Sequence, residues 1–181
     1  MDTLNRDIFR VLFDERCIEK RVRELGAILS KDYYQKNPIL VCILRGAVVF
    51  LSDLMKSMTL PLEIDFLSLS SYGRSTKTTG MIKVRKDIDL IMKDRHVIIV
   101  EDIVDSGLTL QFVYDYLTNL TPKSVSTCVL LNKPSQYKVD LKVDYIGFEI
   151  GDEFVVGYGL DYAEKYRNLP YIGVLKEDVY K

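Results

Sequence analysis

The sequence predicts an α/β fold in which a central parallel sheet is flanked by helices. Apolar runs of strand length alternate with segments of helix length: "PILVCILRG" precedes "AVVFLSDLMKSM", and "HVIIV" precedes "LTLQFVYDYLTNL" and then "SVSTCVLLNKP". This alternation is typical of a parallel sheet with helices on both faces. The first of these runs is continuously apolar, as expected of a strand that is buried on both faces. In such sheets, ligands bind beyond the carboxyl ends of the strands.

The remaining segments complete this prediction. Asp14 can cap an amphipathic helix, because apolar residues follow it at helical spacing. These residues are Ile18, Val22, Leu25, Ile28 and Leu29. The polar segment from Ser71 to Gly80 predicts a long, mobile loop between two strands. The last third, with "VDYIGFEI", "FVVGYGLDY" and "YIGVL", predicts short strands that form a small appendage beside the core.

Length and composition narrow the class of protein. At 181 residues, 48% of them apolar, the chain predicts one domain with a substantial core. The formal net charge is −1, with 25 basic and 26 acidic residues, which excludes a global field for nucleic acid or an anionic membrane. No apolar run approaches the ~20 residues of a membrane span, and "MDTLNRDIFR" lacks the apolar core of a signal peptide. We therefore expect a cytoplasmic protein.

We expect no chemical role for the cysteines or for the single histidine. Cys17, Cys42 and Cys128 lie far apart without a CxxC pair, and we interpret them as buried free thiols rather than as a nucleophile or zinc ligands. His96 precedes its strand instead of following it, and we interpret it as a plain surface residue.

Negative charge directly follows the buried run "VIIV". Glu101 and Asp102 are adjacent carboxylates at the predicted strand end, and they repel each other unless a cation or hydroxyl donors bind them. The segment "DSGLT" at 105–109 predicts a tight turn that opens a helix, where backbone N–H groups, two hydroxyls and the helix dipole favour a phosphate. A ribose 5-phosphate fits both features, because its hydroxyls suit the two carboxylates and its phosphate suits the turn. The alternative is a solvated acidic turn that only caps the helix.

The stretch "VIIVEDIVDSGLT" resembles the 5-phosphoribosyl pyrophosphate (PRPP) signature of the phosphoribosyltransferases. With "LRG" at 44–46, "SYG" at 71–73, "LNKP" around Lys133 and "GDEFVVGYGLDY" at 151–162, nearly the whole chain is similar to the hypoxanthine-guanine phosphoribosyltransferase family. The resemblance implies the type I fold, a central parallel sheet flanked by helices with a small hood subdomain. It implies one domain over 1–181, with a core at about 36–150 and a hood from the N-terminal segment and about 151–181.

The resemblance also assigns residues to PRPP and its phosphates. They are Leu44, Arg45, Gly46, Glu101, Asp102, Asp105, Ser106, Gly107, Leu108, Thr109 and Arg167. In this family the peptide bond before Arg45 can be cis. Leu108 departs from the family pattern, because many relatives carry a long basic or polar side chain at that position.

Three further groups of residues follow from the same resemblance. The purine would be held by Lys133 through its ring oxygen, by stacking on Phe154 and by the backbone of Val155. Magnesium would be bound by Glu101 and Asp102 and, at a second position, by Asp161. Ser71 and Tyr72 would belong to a flexible loop that closes over PRPP and excludes water.

The implied chemistry is phosphoribosyl transfer in purine salvage. A purine nitrogen displaces pyrophosphate from PRPP with the help of Mg²⁺, through an oxocarbenium-like transition state, so that hypoxanthine and guanine become IMP and GMP. Asp105 is a better catalytic base than His96, because it follows its strand. The family implies a homodimer or homotetramer, and we expect no nucleic acid or membrane as partner. The ranking of hypoxanthine, guanine and xanthine stays open.

Other classes fit the sequence less well. A receiver-type signalling domain also has an acidic strand end and a Lys-Pro, but its acidic pair ends the first strand, far from the Lys-Pro, whereas Asp102 and Lys133 are close in this chain. A regulator that binds PRPP and a nucleic acid would need a basic face or an added helix-turn-helix. Nucleotide triphosphatases and dehydrogenases would need a Walker A or GxGxxG motif, which this sequence lacks.

Overall fold

A computed structural model describes residues 4–71 and 82–181 of the chain. The strands are β1 Ile8–Phe13, β2 Ile39–Leu44, β3 Glu63–Ser71, β4 Ile82–Lys86, β5 His96–Val104, β6 Ser124–Asn132, β7 Tyr145–Glu149, β8 Val155–Val156 and β9 Ile172–Leu175. The α-helices are α1 Glu15–Asp32, α2 Val48–Ser57, α3 Leu108–Thr118 and α4 Glu177–Tyr180, and 3-10 turns lie at Asn5–Asp7 and Pro134–Gln136.

Six of the strands form the large sheet, in the order β4-β3-β2-β5-β6-β7. All of its neighbouring pairs are parallel except β3 and β4, which are antiparallel. The sheet is therefore mostly parallel, which confirms the prediction of a central parallel sheet, and it has one antiparallel edge strand. The reason is that β4 follows β3 in the chain and returns beside it, which needs no crossover helix.

Helices cover both faces of the large sheet, as the apolar runs predicted. On one face, α1 and α2 pack against side chains of β2, β5 and β6, among them Cys42, Val100 and Cys128. On the other face, Leu110 and Val113 of α3 pack against the opposite side chains of the same strands. This arrangement leaves the carboxyl ends of the parallel strands free to carry polar groups.

The amphipathic helix α1 begins as its sequence predicts. The Asp14 carboxylate accepts a hydrogen bond of 2.8 Å from the backbone N–H of Cys17, which caps the helix. The predicted apolar positions are buried except Ile28, which is exposed. Arg21 of this helix donates to the carbonyls of Ile146 and Gly147, both at 2.8 Å, and so binds the outer strand β7 of the large sheet.

The remaining strands form a small antiparallel sheet in the order β1-β9-β8. The Phe13 ring at the end of β1 stacks on Phe148 of β7 with ring centroids 4.0 Å apart, which joins the small sheet to the large one. Between β8 and β9 lies a segment of loops and turns, residues 157–171, which we call the hood loop. No helix within the described residues is long and apolar enough to cross a membrane.

Two minor sequence interpretations are wrong. Cys42 and Cys128 are buried, but Cys17 is exposed because it lies on the solvent side of α1. His96 is half-buried at the start of β5, where its Nδ1 lies 2.7 Å from the Ser124 hydroxyl, so it is not a plain surface residue. Burial and the nearby charges of Lys123 and Lys36 lower the pKa of His96.

Candidate active site at the carboxyl ends of the strands

The acidic pair lies inside β5 and not beyond it. The strand continues to Val104, with Glu101 paired to Val129 and Ile103 to Leu131 of β6, so both carboxylates are buried. The sequence-based expectation that the strand ends at this pair is therefore wrong, because β5 extends to Val104. Burial and the charge of Asp102 raise the pKa of Glu101 well above its ordinary value, and burial also raises the pKa of Asp102.

The charge of this pair is only partly compensated. One Asp102 oxygen accepts a hydrogen bond of 2.8 Å from the N–H of Ile103. The Glu101 Oε2 atom is buried and has no hydrogen-bond partner among the residues that the structure describes. An unpartnered, buried carboxylate oxygen is costly, because it has lost its hydration without a replacement. The geometry therefore favours a cation or a hydroxyl-bearing ligand at this point.

The turn after β2 approaches the acidic pair closely. The Leu44–Arg45 peptide bond is cis, as the resemblance allowed. At Gly46, a Cβ atom would lie 1.6 Å from Asp102 Oδ2, so only glycine fits there. The Arg45 guanidinium is exposed and forms an ion pair with Glu164 of the hood loop. Leu44, Arg45 and Gly46 therefore lie beside Asp102. The carboxyl ends of the neighbouring parallel strands β2 and β5 meet here, as expected for a parallel sheet.

The predicted phosphate turn forms at the start of α3. Gly107 has a left-handed φ of 79°, and the helix begins at Leu108 without a side-chain cap. The first N–H groups of a helix have no intrahelical partner, so those of this turn can bind an anion. A cavity of about 120 Å³ is lined by Glu101 of β5 together with Asp105, Ser106, Gly107 and Thr109. The side chain of Leu108 is about half exposed.

Lys133, which follows the neighbouring strand β6, lies beside this turn. Its backbone N–H donates to the Val104 carbonyl at 2.9 Å. Its side chain is buried, with Nζ 3.7 Å from Asp105 Oδ2, while the side chain of Asp105 is 60% exposed. A buried ammonium group with one distant carboxylate can still donate to a ligand.

The hood residues of the prediction lie in two places. Val155 is buried in β8, and Phe154 precedes it with its ring stacked on Tyr180 at a centroid distance of 4.7 Å. In the hood loop, Arg167 Nη2 lies 2.7 Å from Asp161 Oδ1. The second oxygen of Asp161 accepts from the N–H of Glu164 at 2.9 Å. Asp161 and Arg167 are thus brought together, and the ring of Tyr162, next to Asp161, meets the Phe154 ring edge-on at a centroid distance of 5.6 Å.

Sequence reasoning missed Glu164, which lies within reach of both guanidinium groups assigned to pyrophosphate. It pairs with Arg45 and, at 3.4 Å, with Arg167. The even spacing of Asp161, Glu164 and Arg167 is a signal that could have found it. Of the two predicted loop residues, Ser71 is the last residue of β3, and Tyr72 lies outside the described residues.

The residues present fit magnesium only together with a ligand. Within the described residues, no three His, Cys, Asp or Glu side chains form a group that could hold a metal ion by themselves. Magnesium, however, is usually bound by one or two carboxylates plus phosphate oxygens and waters. The buried pair with its unpartnered oxygen matches such a partial site. Asp161 is not part of the same group, because its carboxylate binds Arg167 and Glu164.

The chain is similar to known phosphoribosyltransferases in both sequence and structure. A model of the phosphoribosyl transferase domain matches residues 11–163. A crystal structure of a hypoxanthine phosphoribosyltransferase from Staphylococcus aureus superimposes with a TM-score of 0.95 at 43% identity, covering 100% of this chain and 99% of that one. The type I phosphoribosyltransferase fold that the resemblance implied is thereby confirmed.

The sequence comparison is more specific. The hypoxanthine-guanine phosphoribosyltransferase of Bacillus subtilis is 49% identical over 178 residues, which cover 98% of this chain and 99% of the relative. The enzyme of the same name from Streptococcus thermophilus is 46% identical over 177 residues, covering 98% of each chain. The chain belongs to the hypoxanthine-guanine phosphoribosyltransferase family.

Proposed function

We propose that this protein transfers the 5-phosphoribosyl group of PRPP to hypoxanthine and guanine, giving IMP and GMP with release of pyrophosphate. The observation that carries the proposal is the buried pair Glu101 and Asp102 beside the turn at 105–109. The unpartnered carboxylate oxygen suits the ribose hydroxyls or a cation, and the helix N-terminus suits the 5-phosphate. Family membership supports the same reaction and a role in purine salvage.

The reaction forms a bond between a purine nitrogen and the anomeric carbon while the bond from that carbon to the pyrophosphate oxygen breaks. Positive charge grows on the ribose, and negative charge grows on the leaving group. We assign Arg45 and Arg167 to the pyrophosphate, since fixed guanidinium groups bind its oxygens strongly. Both now contact Glu164, so the leaving group must compete with this carboxylate for them.

The purine ring proton needs an acceptor as the nitrogen attacks. We assign this role to Asp105, whose exposed carboxylate lies on the phosphate turn. Lys133 is assigned to the ring oxygen of hypoxanthine or guanine, since its ammonium group donates and cannot accept. Phe154 is assigned to stacking and the backbone of Val155 to the ring edge.

Magnesium is the proposed cofactor, held by Glu101, Asp102 and substrate oxygens at one position and by Asp161 at a second. When bound, it supplies positive charge that stabilises the departing pyrophosphate. The support is the partial donor set formed by the buried pair. We also propose a homodimer or homotetramer in the cytoplasm, which light scattering of the purified protein and cell fractionation can test.

A coupled assay tests the function directly. Purified protein is incubated with PRPP, magnesium chloride and hypoxanthine, guanine, xanthine or adenine in turn, and each nucleotide is quantified by chromatography. We expect IMP and GMP, and no product when either PRPP or magnesium is omitted. Absence of both nucleotides at millimolar substrate would overturn the proposal.

A further inference from the structure

The turn at residues 157–159 has an unusual backbone conformation. Three consecutive residues have left-handed φ angles: Gly157 at 99°, Tyr158 at 50° and Gly159 at 100°. Glycine adopts such angles at little cost, but a bulky side chain does so only when its surroundings hold it there. Tyr158 is therefore the residue of this turn whose conformation requires support.

The support comes from helix α2. The Tyr158 hydroxyl donates a hydrogen bond of 2.6 Å to Asp53 Oδ2, although the two residues are 105 positions apart. The Tyr158 side chain is buried, with 7% of its surface exposed. The other oxygen of Asp53 lies 2.7 Å from the Lys56 ammonium group, so the acceptor is itself held in place. The bond thus joins the hood loop to the helix that follows the Arg45–Gly46 turn.

The turn at 157–159 also binds Arg167 through hydrogen bonds. The Gly159 carbonyl accepts from Arg167 Nη1 at 2.8 Å, and the Gly159 N–H donates to the Arg167 carbonyl at 2.9 Å. A Cβ atom on Gly159 would lie 2.1 Å from the Gly46 carbonyl oxygen, so the two turns touch through their backbones. The position of Arg167 relative to Arg45 therefore depends on how the turn at 157–159 is seated.

We propose that Tyr158 is a positioning residue, which holds Arg167 beside the Arg45–Gly46 turn through its hydrogen bond to Asp53. This inference rests on the proposed function, because it takes both guanidinium groups to bind pyrophosphate. Tyr158 does not touch the substrate in this scheme. It acts by fixing the distance between two cationic groups, one in the turn after β2 and the other in the hood loop.

The test compares two tyrosines of the same loop. Tyr158→Phe removes the hydroxyl that binds Asp53, and Tyr166→Phe removes a similar one, since the buried Tyr166 donates to Asp7 Oδ2 at 2.6 Å. Tyr166 also has a left-handed φ, of 76°. Both variants lose one buried hydrogen bond, so their melting temperatures should fall by similar amounts. Only Tyr158→Phe should raise the KM for PRPP and the inhibition constant of pyrophosphate, each by about 10-fold, with the KM for hypoxanthine unchanged.

Substitutions at Asp53 test the other end of the bond. Asp53→Asn keeps an oxygen acceptor for the Tyr158 hydroxyl and should leave the KM for PRPP near wild type. Asp53→Leu removes the acceptor and should reproduce the Tyr158→Phe defect, without an additive effect in the double variant. Lys56→Ala controls for the lost ion pair and should leave the KM unchanged.

Each outcome decides one question. Equal effects of Tyr158→Phe and Tyr166→Phe on the KM for PRPP, or a normal KM in Asp53→Leu, would overturn the positioning role. An inactive wild-type protein would instead overturn the proposed function. An active wild type with an unaltered Tyr158→Phe variant would leave that function intact and remove only this inference.

Discussion

Glu101 and Asp102 lie in a strand of the large sheet, whereas Asp161 and Arg167 lie in a loop that is held by hydrogen bonds within its own turns and by side-chain contacts. Strand β5 is hydrogen-bonded to β2 and β6. The hood loop has only isolated bridges, at Gly157 with Leu160 and at Tyr162 with Lys165, among its described residues. The core half of the site is therefore held by strand pairing, and the hood half by turns and side-chain contacts. Substitutions at Lys133 and Asp105 in the core half should change selectivity and chemistry, while those in the hood half should change binding.

The largest effect is expected at Lys133 in the core half. Adenine presents an amino group where hypoxanthine has an oxygen, which would leave the buried ammonium group facing another donor. Sites of this kind reject the wrong analogue by as much as ~10⁴-fold. Lys133→Met should therefore lower the ratio of catalytic efficiencies, hypoxanthine over adenine, by about 10²-fold to 10⁴-fold.

Measurement of both efficiencies in wild type and variant checks this prediction. Lys138→Met, at an exposed lysine of the following loop, is the matched control and should keep the wild-type ratio. Equal wild-type rates with hypoxanthine and adenine would mean that Lys133 does not recognise the oxygen.

Asp105→Asn is expected to have the next largest effect. The variant loses the proposed base, so kcat should fall by about 100-fold or more. PRPP binding, measured by calorimetry, should persist, because we propose that the turn at 105–109 binds the 5-phosphate mostly through backbone N–H groups and hydroxyls. Asp115→Asn, on an exposed position of α3, should retain wild-type kcat. An Asp105→Asn enzyme with normal turnover would show that another group accepts the proton.

Phe154→Leu tests the hood half. Tyr180 stacks on one face of the Phe154 ring, and a purine would stack on the other. Base stacking on an aromatic side chain contributes about 1–3 kcal/mol, so the KM for hypoxanthine should rise by roughly 10-fold, with little change in kcat. Phe154→Tyr keeps the stacking face and should behave as wild type. A loss confined to kcat would contradict the division between the two halves.

The smallest expected effect is one of stability. Glu101→Gln with Asp102→Asn removes two buried carboxylates whose pKa values are raised above their ordinary values of 4.5 and 3.8. Because the folded state binds these protons more tightly, unfolding releases protons and the wild type loses stability as the pH rises above those values. Without magnesium, the variant should melt about 2–4 °C higher than wild type near neutral pH, a shift equivalent to roughly 1 kcal/mol.

Scanning calorimetry at several pH values checks this difference, which should shrink as the pH falls towards 4. The same variant should need more PRPP or magnesium for half-saturation. A variant that melts below wild type at pH 7 would mean that the carboxylates already have partners in the folded protein.

Much of the core half could be predicted from the sequence, because its residues follow apolar runs in the chain. The turn at 105–109 was predicted in this way, whereas Lys133 was assigned through the family resemblance. The burial of Glu101 was missed, since the backbone pairing of β5 with β6 continues past the last apolar residue of "VIIV" and a side-chain pattern does not record it.

Less of the hood half could be predicted from the sequence. Its short strands gave a weak pattern, and its residues were assigned through the family resemblance alone. The hydrogen bond between Tyr158 and Asp53 joins positions 105 residues apart, and neither residue type by itself indicates its partner. Such a contact depends on how the hood loop packs against α2, which a local pattern does not contain.

The two outer strands of the large sheet also bear on how the protein behaves at high concentration. An uncovered edge strand presents unpaired N–H and C=O groups that can recruit the same edge of another molecule and start aggregation. Arg21 occupies two carbonyls of β7, and β4 carries three basic side chains, at Lys83, Arg85 and Lys86. Both edges are thereby made poor templates for adding a further strand, in the same sheet that holds the acidic pair.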